Sequence, residues 1–296
     1  MLIPDSYIKT STGPTIALYD LGGSGPPLIL AHATGLCGAV LSPIASHLRD
    51  HFSCMLIDER AHGNSTSPPD SNFDWHLFAQ DILDVIDHLG LSLPYGFGHS
   101  CGGASLLLAE EARPHTFAAL YCYEPVIFPS DDPMPPTKEG NHLAQGALRR
   151  RTKFPSYKDS YDNFTSKEPF NKFTDECLHL YIDNGFQQMP DGSVELKCKR
   201  HDESAIYSLG MSHDAYRYLS RVSCPVTLAC GSEDLFLGVD VQSIFLERLA
   251  DAKLEVFDGL GHFGPVQDPE RVAKSILHAF SVSDKDTGGA SYPIRE

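Results

Sequence analysis

No apolar run in the sequence approaches the roughly 20 residues that a membrane-spanning helix requires, so no membrane span is expected. Basic residues are scarce: 23 Lys plus Arg stand against 39 Asp plus Glu, a formal charge of −16 over 296 residues. Without a basic patch there is no cationic footprint for a phosphate backbone, so nucleic acid is excluded as an expected partner and anionic membrane surfaces would repel the chain. None of the eight cysteines (Cys37, Cys54, Cys101, Cys122, Cys177, Cys198, Cys224 and Cys230) forms a Cys-x-x-Cys pair. Several lie inside strand-like apolar runs and read as buried reduced thiols of a cytoplasmic protein. Met1 to Ser11 has no apolar stretch behind a basic one, so no secretory leader is expected. There is no His-Glu-x-x-His, and no Lys-Ser or Lys-Thr follows the Gly22–Gly25 cluster. Neither a metalloprotease helix nor a phosphate cradle is therefore expected. His47 and His51 have the spacing of two ligands on one helix face, but no third ligand accompanies them and no metal is expected. No internal repeat is visible.

What is present is an ordinary globular composition, 42% hydrophobic and 21% charged, long enough for a large core. Ile16 to Tyr19 and Leu28 to Ala31 read as short buried strands, the second running into His32-Ala33-Thr34-Gly35. Helical spacing follows over Ala39 to Leu48, then a strand over Cys54 to Ile57. Trp75 to Leu89 is amphipathic, with Leu77, Phe78, Ile82, Val85, Ile86 and Leu89 on one face and Asp81, Asp84 and Asp87 on the other. Tyr95 to Gly98 is strand-like, Gly102 to Ala112 helical, and Phe117 to Tyr123 a strand ending at Glu124-Pro125. Alternating strands and helices predict a mostly parallel sheet covered on both faces. From 129 to 220 the pattern gives way to Pro-rich and charged stretches, short helical pieces and a hairpin-like turn over Gln188 to Ser193. It returns with Val226 to Cys230, a helix over Val241 to Leu249, a strand over Leu254 to Phe257 and a helix over Pro269 to Phe280. The fold class expected is α/β, with a core of 1–128 and 221–280, an inserted, mainly helical cap over 129–220, and a polar tail over 281–296.

Three segments carry chemistry. Gly98-His99-Ser100-Cys101-Gly102 places a serine between a predicted strand and a predicted helix, where a sharp turn projects its hydroxyl above the sheet edge. A serine hydroxyl needs a base, and the base an orienting acid. Asp234, in the Gly231-Ser232-Glu233-Asp234 segment after one strand, and His262, in Gly259-Leu260-Gly261-His262-Phe263 after the next, fall on the same edge in the order Ser…Asp…His.

With these residues the chain resembles the α/β-hydrolase superfamily, in particular its capped esterase-like and lyase-like members, over nearly all of residues 15 to 280. His32-Ala33-Thr34-Gly35 is similar to the family's His-Gly loop, with Ala33 in place of the usual Gly. The resemblance implies an oxyanion hole formed by the backbone N–H groups of Thr34 and Cys101. Asp58-Glu59-Arg60-Ala61-His62-Gly63-Asn64-Ser65 is similar to the family's Asp-x-Arg-Gly-His-Gly-x-Ser turn, again with one Ala for Gly, and reads as structural, His62 included. Glu124 competes with Asp234 for the acid: some relatives, notably haloalkane dehalogenases, carry the acid after the strand that follows the nucleophile helix. Asp234 is favoured here, with Glu124 as alternative acid or pocket residue.

The expected activity is cofactor-free cleavage of a carboxylic ester, thioester or lactone with an apolar acyl group, through an acyl-enzyme on Ser100. Carbon–carbon bond hydrolysis, a perhydrolase-like reaction, and a non-catalytic ligand receptor are the alternatives. Epoxide hydrolases and dehalogenases need a carboxylate nucleophile, and position 100 is Ser. Arg149-Arg150-Arg151 reads as a solvated face, and Cys101 as small packing. Phe128, Phe154, Phe164, Phe170, Phe173 and Tyr181 line either an apolar pocket or the cap's own core.

Overall fold

In the computed structural model, which describes residues 1–137 and 141–280, the first half of the core runs β1 (Ser6–Lys9), β2 (Thr15–Asp20), β3 (Pro27–Ala31), α1 (Ser42–Leu48), β4 (Ser53–Ile57), α2 (Trp75–Leu89), β5 (Tyr95–His99), α3 (Cys101–Ala112) and β6 (Leu120–Tyr123). The segment between β6 and β10, expected to be the cap, contains α4 (His142–Arg149), β7 (Lys153–Phe154), α5 (Tyr157–Thr165), α6 (Asp175–Gly185), β8 (Phe186–Gln188), β9 (Val194–Leu196), α7 (Arg200–Leu209) and α8 (Ala215–Tyr218). The core resumes with β10 (Val226–Gly231), α9 (Val239–Leu246), β11 (Ala252–Phe257), α10 (Gly264–Gln267) and α11 (Pro269–Ala279). The polar tail expected over 281–296 lies outside the described residues.

Eight strands form one sheet in the order β1-β2-β4-β3-β5-β6-β10-β11. Only the β1–β2 and β2–β4 pairings are antiparallel; the others run parallel. The central strands β3, β5, β6 and β10 are almost wholly buried because helices cover both faces. The chain leaves β3 toward β4 on one side, then crosses to β5 on the other. The loops at the carboxyl ends of β3 and β5 therefore meet at a topological switch point, the usual position of a ligand site in such sheets.

Local chemistry sets the helix bounds. α2 starts where the Asp74 side chain accepts the His76 N–H at 2.9 Å and stops at Gly90, whose φ of 61° is left-handed. Its apolar stripe buries Phe78, Ile82, Val85 and Ile86 against the sheet, each worth about 1.5–3 kcal/mol relative to exposure. Asp81, read as part of the polar face, is instead buried and pairs with Arg60 at 2.7 Å. That buried pair ties α2 to the loop after β4.

The cap is mainly helical but carries a three-stranded antiparallel sheet, β7-β9-β8, in which the turn over Gln188 to Ser193 joins β8 to β9. Its α6 lies on the turn Gly38–Leu41 of the core, where the Cys177 thiol approaches the Val40 carbonyl at 3.8 Å. Phe154, Phe164, Phe173 and Tyr181 are buried together with Leu36, Cys37 and Val40. These rings therefore form the cap's own core and its seat on the main domain. Phe128 stands apart, facing Phe236 at 6.4 Å.

Candidate active site

β5 delivers the serine. Ser100 takes φ 57° and ψ −112°, a left-handed conformation costly for any residue with a Cβ. The surrounding bonds hold it there: Ser100 N donates to Tyr123 O at 2.9 Å, and Val126 N donates to Ser100 O at 3.2 Å. The flanking glycines are required by close approach. A Cβ on Gly102 would lie 2.3 Å from the Ala31 carbonyl oxygen, and one on Gly98 would lie 2.5 Å from Gly103 N. Both obstacles are backbone and cannot rotate away. Gly102→Ala is accordingly expected to destabilise by about 3 kcal/mol, a fall of roughly 10 °C in Tm at this chain length, checked by thermal melting followed by circular dichroism.

The loop after β3 packs against this turn. Gly102 N donates to His32 O at 3.1 Å, which joins the start of α3 to the His32–Gly35 segment. Two buried histidines fix that segment. His32 accepts the Glu59 N–H on Nε2 at 3.0 Å and donates from Nδ1 to Ala33 O, while His62 accepts the Gly35 N–H on Nε2 at 2.9 Å and donates from Nδ1 to Arg60 O. Burial drives both imidazoles down, His32 to about 4 and His62 to about 3, so both stay neutral with defined tautomers. The Asp58–Ser65 turn is thus scaffolding, with the Asp58 carboxylate accepting from Gly38 N, Asn64 N and the Tyr19 hydroxyl. Ala61 occupies the left-handed position (φ 65°) at which the family motif has Gly, whereas Ala33 is not left-handed. Among the described residues neither Thr34 N–H nor Cys101 N–H is spent on another protein group, so both remain available at the mouth of the turn. The Cys101 thiol is fully buried, and burial pushes it well above the ordinary thiol range, as a packing role requires.

His262 Nε2 lies 3.1 Å from Ser100 Oγ, and its Nδ1 lies 2.5 Å from Glu124 Oε2. Asp234, the favoured acid, does not hold this imidazole. Its Oδ1 accepts the N–H groups of Phe236 at 2.7 Å and Leu237 at 2.6 Å, a local turn that keeps the short side chain on its own loop. Glu124, one methylene longer and itself left-handed at φ 43°, reaches the ring from the end of β6. Its other oxygen accepts the Gly231 N–H at 2.8 Å. Burial pushes the Glu124 carboxyl above its ordinary value, against the pull of the bond from His262.

His99, beside the nucleophile and wholly buried, was not singled out from the sequence. Its Nε2 donates to the His262 carbonyl at 2.8 Å and so fixes the backbone of the base. The strand–serine pattern hides it, because the side chain points back under the His262 loop rather than toward substrate.

Arg150 departs from the solvated face expected of the arginine run. Its guanidinium donates to both Glu203 oxygens at 2.7 and 2.6 Å and to the Tyr181 hydroxyl. This buried pair rests on the loop after β3, since a Cβ on Gly35 would lie 2.6 Å from Glu203 Oε1. Tyr207 OH adds a long 3.4 Å bond to Thr34 O. Ser100 itself is only 6% exposed.

Among the described residues, Glu124, Asp234 and His262 are the one group of three whose oxygen and nitrogen atoms converge as metal ligands would, all within 4.8 Å. His262 and Glu124 are already hydrogen-bonded to each other. His47 and His51 are both exposed, without a third partner. Among the described residues no helix is long and apolar enough to cross a membrane.

The fold that brings Ser100 and His262 to the carboxyl edge of a mostly parallel sheet has counterparts among known proteins. A family model described as alpha/beta hydrolase fold matches residues 26–269. A Haemophilus influenzae protein provisionally named an esterase/lipase is 25% identical over 254 residues, covering 85% of this chain and 82% of that one. The non-heme chloroperoxidase CPO-A1 of Kitasatospora aureofaciens is 25% identical over 253 residues, covering 82% and 87%. The crystal structure of E-2-(acetamidomethylene)succinate hydrolase superposes with a TM-score of 0.79 at 20% identity, over 95% of this chain and all of that one. The chain therefore belongs to the alpha/beta hydrolase fold family.

Proposed function

We propose that this protein is a serine hydrolase that cleaves a carboxylic ester or thioester through an acyl-enzyme, without a cofactor. The observation that carries the reading is the continuous path Ser100 Oγ, His262 Nε2, His262 Nδ1, Glu124 Oε2, with links of 3.1 and 2.5 Å across the ring. With Glu124 as a carboxylate, Nδ1 holds the proton and Nε2 is left to accept the serine proton as Oγ attacks the carbonyl carbon. The resulting oxyanion is received by the N–H groups of Thr34 and Cys101, each such donor being worth about 2.7–4 kcal/mol in the transition state. The imidazolium, held by Glu124, then protonates the leaving group. A water activated by the same nitrogen releases the acid.

Two features support an uncharged, partly apolar substrate. Phe263 lies edge-on to His262 at 5.2 Å and against Phe173 at 5.4 Å, so apolar rings border the base. Arg150, whose carboxylate partner packs on the loop after β3, is already neutralised by Glu203. The relative with an esterase/lipase name favours an ester. The chloroperoxidase relative favours a second reading, in which hydrogen peroxide replaces water as acceptor of the acyl group. Eight buried, unpaired thiols suit a reducing compartment such as the cytoplasm.

The test is intact mass after treatment with a fluorophosphonate, alongside turnover of p-nitrophenyl acetate and butyrate. One adduct, absent in Ser100→Ala, together with turnover, supports the reading. A folded protein that shows neither would instead be a receptor on this fold. Formation of peracid when hydrogen peroxide is added would identify the second reading.

A further inference from the structure

Adjacent strands bring two carboxylates, not one, to the base. β6 and β10 are hydrogen-bonded neighbours, with Tyr123 opposite Ala229. Glu124 follows the first of these strands and Asp234 the second, while His262 comes from the loop after β11. Glu124, Asp234 and His262 each offer an atom within 4.8 Å of the others. Glu124 holds Nδ1, and the Asp234 charge acts on Glu124, adding to the effect of burial in pushing that carboxyl up. Like charges this close oppose each other unless a cation forms between them, and His262 becomes that cation each time it takes the serine proton.

We propose that Asp234 is a positioning residue that stands in reserve for Glu124, moving onto His262 Nδ1 when the Glu124 carboxylate is lost. This rests on the serine hydrolase reading above. Asp234 is tethered through one oxygen only: Oδ1 takes the Phe236 and Leu237 N–H groups, and among the described residues its other oxygen has no protein hydrogen bond. One ligand atom of Asp234 already lies within 4.8 Å of one on the His262 ring, so a shift of about 2 Å brings the two into hydrogen-bond range. The loop that would move is lightly packed, since Leu235 is 98% and Phe236 63% exposed.

The experiment is a double-mutant cycle on kcat for p-nitrophenyl butyrate, with the low-field proton resonance of His262 Nδ1 followed by NMR in each folded variant. Asp234→Asn is expected to lower kcat a few-fold and Glu124→Gln about 100-fold. The double variant should fall about 10⁴-fold, the loss seen when the orienting acid of such a triad is exchanged for its amide. The low-field proton should persist in Glu124→Gln and vanish in the double variant. If the Gln amide disturbs folding, Glu124→Ala, which opens space beside Nδ1, repeats the comparison. The proposal is overturned if the single Glu124 variants already fall about 10⁴-fold and lose the low-field proton while the wild type is active. A wild type with neither turnover nor fluorophosphonate adduct would overturn the serine hydrolase reading, and this role of Asp234 with it.

Discussion

Ser100→Ala is expected to lower kcat for p-nitrophenyl butyrate by about 10⁶-fold, the scale seen when a serine hydrolase loses its nucleophile, with little change in melting temperature. The substitution deletes one oxygen whose bonding partner is His262 Nε2. It leaves the Cβ, the strained turn and both free N–H groups in place, so binding and oxyanion stabilisation survive as a residual rate above that in water. His262→Ala should cost nearly as much, and the double variant little more than either, because the two act as one unit. The same variants treated with the fluorophosphonate should carry no adduct. Full activity in Ser100→Ala would remove the acyl-enzyme from consideration.

The second large effect concerns stability against pH. Four histidines are buried and held neutral: burial takes His32 and His213 to about 4, His62 to about 3 and His99 well below its ordinary value. In the unfolded chain each takes a proton below about pH 6.5. The unfolded state then binds more protons, and the stability these groups supply is lost as pH falls. Glu59 and Glu111 act oppositely. Burial raises them to about 8 and about 9, so the folded state binds the extra protons above about pH 4.5 and loses stability as pH rises toward those values. Between about pH 4.5 and 6.5 the two glutamates offset only half of the effect of the four histidines. Below 4.5 the acids are protonated in both states and only the histidines operate, each contributing about 1.4 kcal/mol per pH unit while its folded form remains neutral. A plot of Tm against pH should therefore peak near pH 6.5, decline toward pH 9, fall on the acid side and steepen below about 4.5. His213 stacks on Trp75 and donates to Val126 O. His213→Gln should reduce the slope of the acid limb by about one proton. An acid limb of unchanged slope in that variant would show that His213 is not one of the groups responsible.

What could be read from the sequence was what is local. The bounds of α2 follow from Asp74, the apolar stripe and Gly90, all within one stretch of chain. The serine turn follows from five consecutive residues whose glycines are demanded by contacts of 2.3–2.5 Å. The choice of acid was not local. Glu124 and Asp234 both follow strands on the same edge, and which one meets His262 depends on side-chain length, on the left-handed backbone at Glu124 and on the N–H groups that hold Asp234 to its own loop. Arg150 was likewise opaque, because the Glu203 that buries its charge lies 53 residues further along. The small cap sheet showed in the sequence only through its hairpin turn over Gln188 to Ser193. Strands of two or three residues are too short to show a period of two.

The eight buried sulfhydryls have a practical consequence. An aromatic disulfide reagent added to the native protein meets no accessible thiol, so colour should develop only as fast as the molecule opens. Cys177 and Cys198 belong to the cap, Cys54, Cys122 and Cys230 to the central sheet. A reaction confined to Cys177, Cys198 and Cys37, which is buried against the cap's rings, would time the lifting of the cap alone, and one that ran to eight together would time the unfolding of the whole chain. The protein thus carries its own clock for both events, without any label.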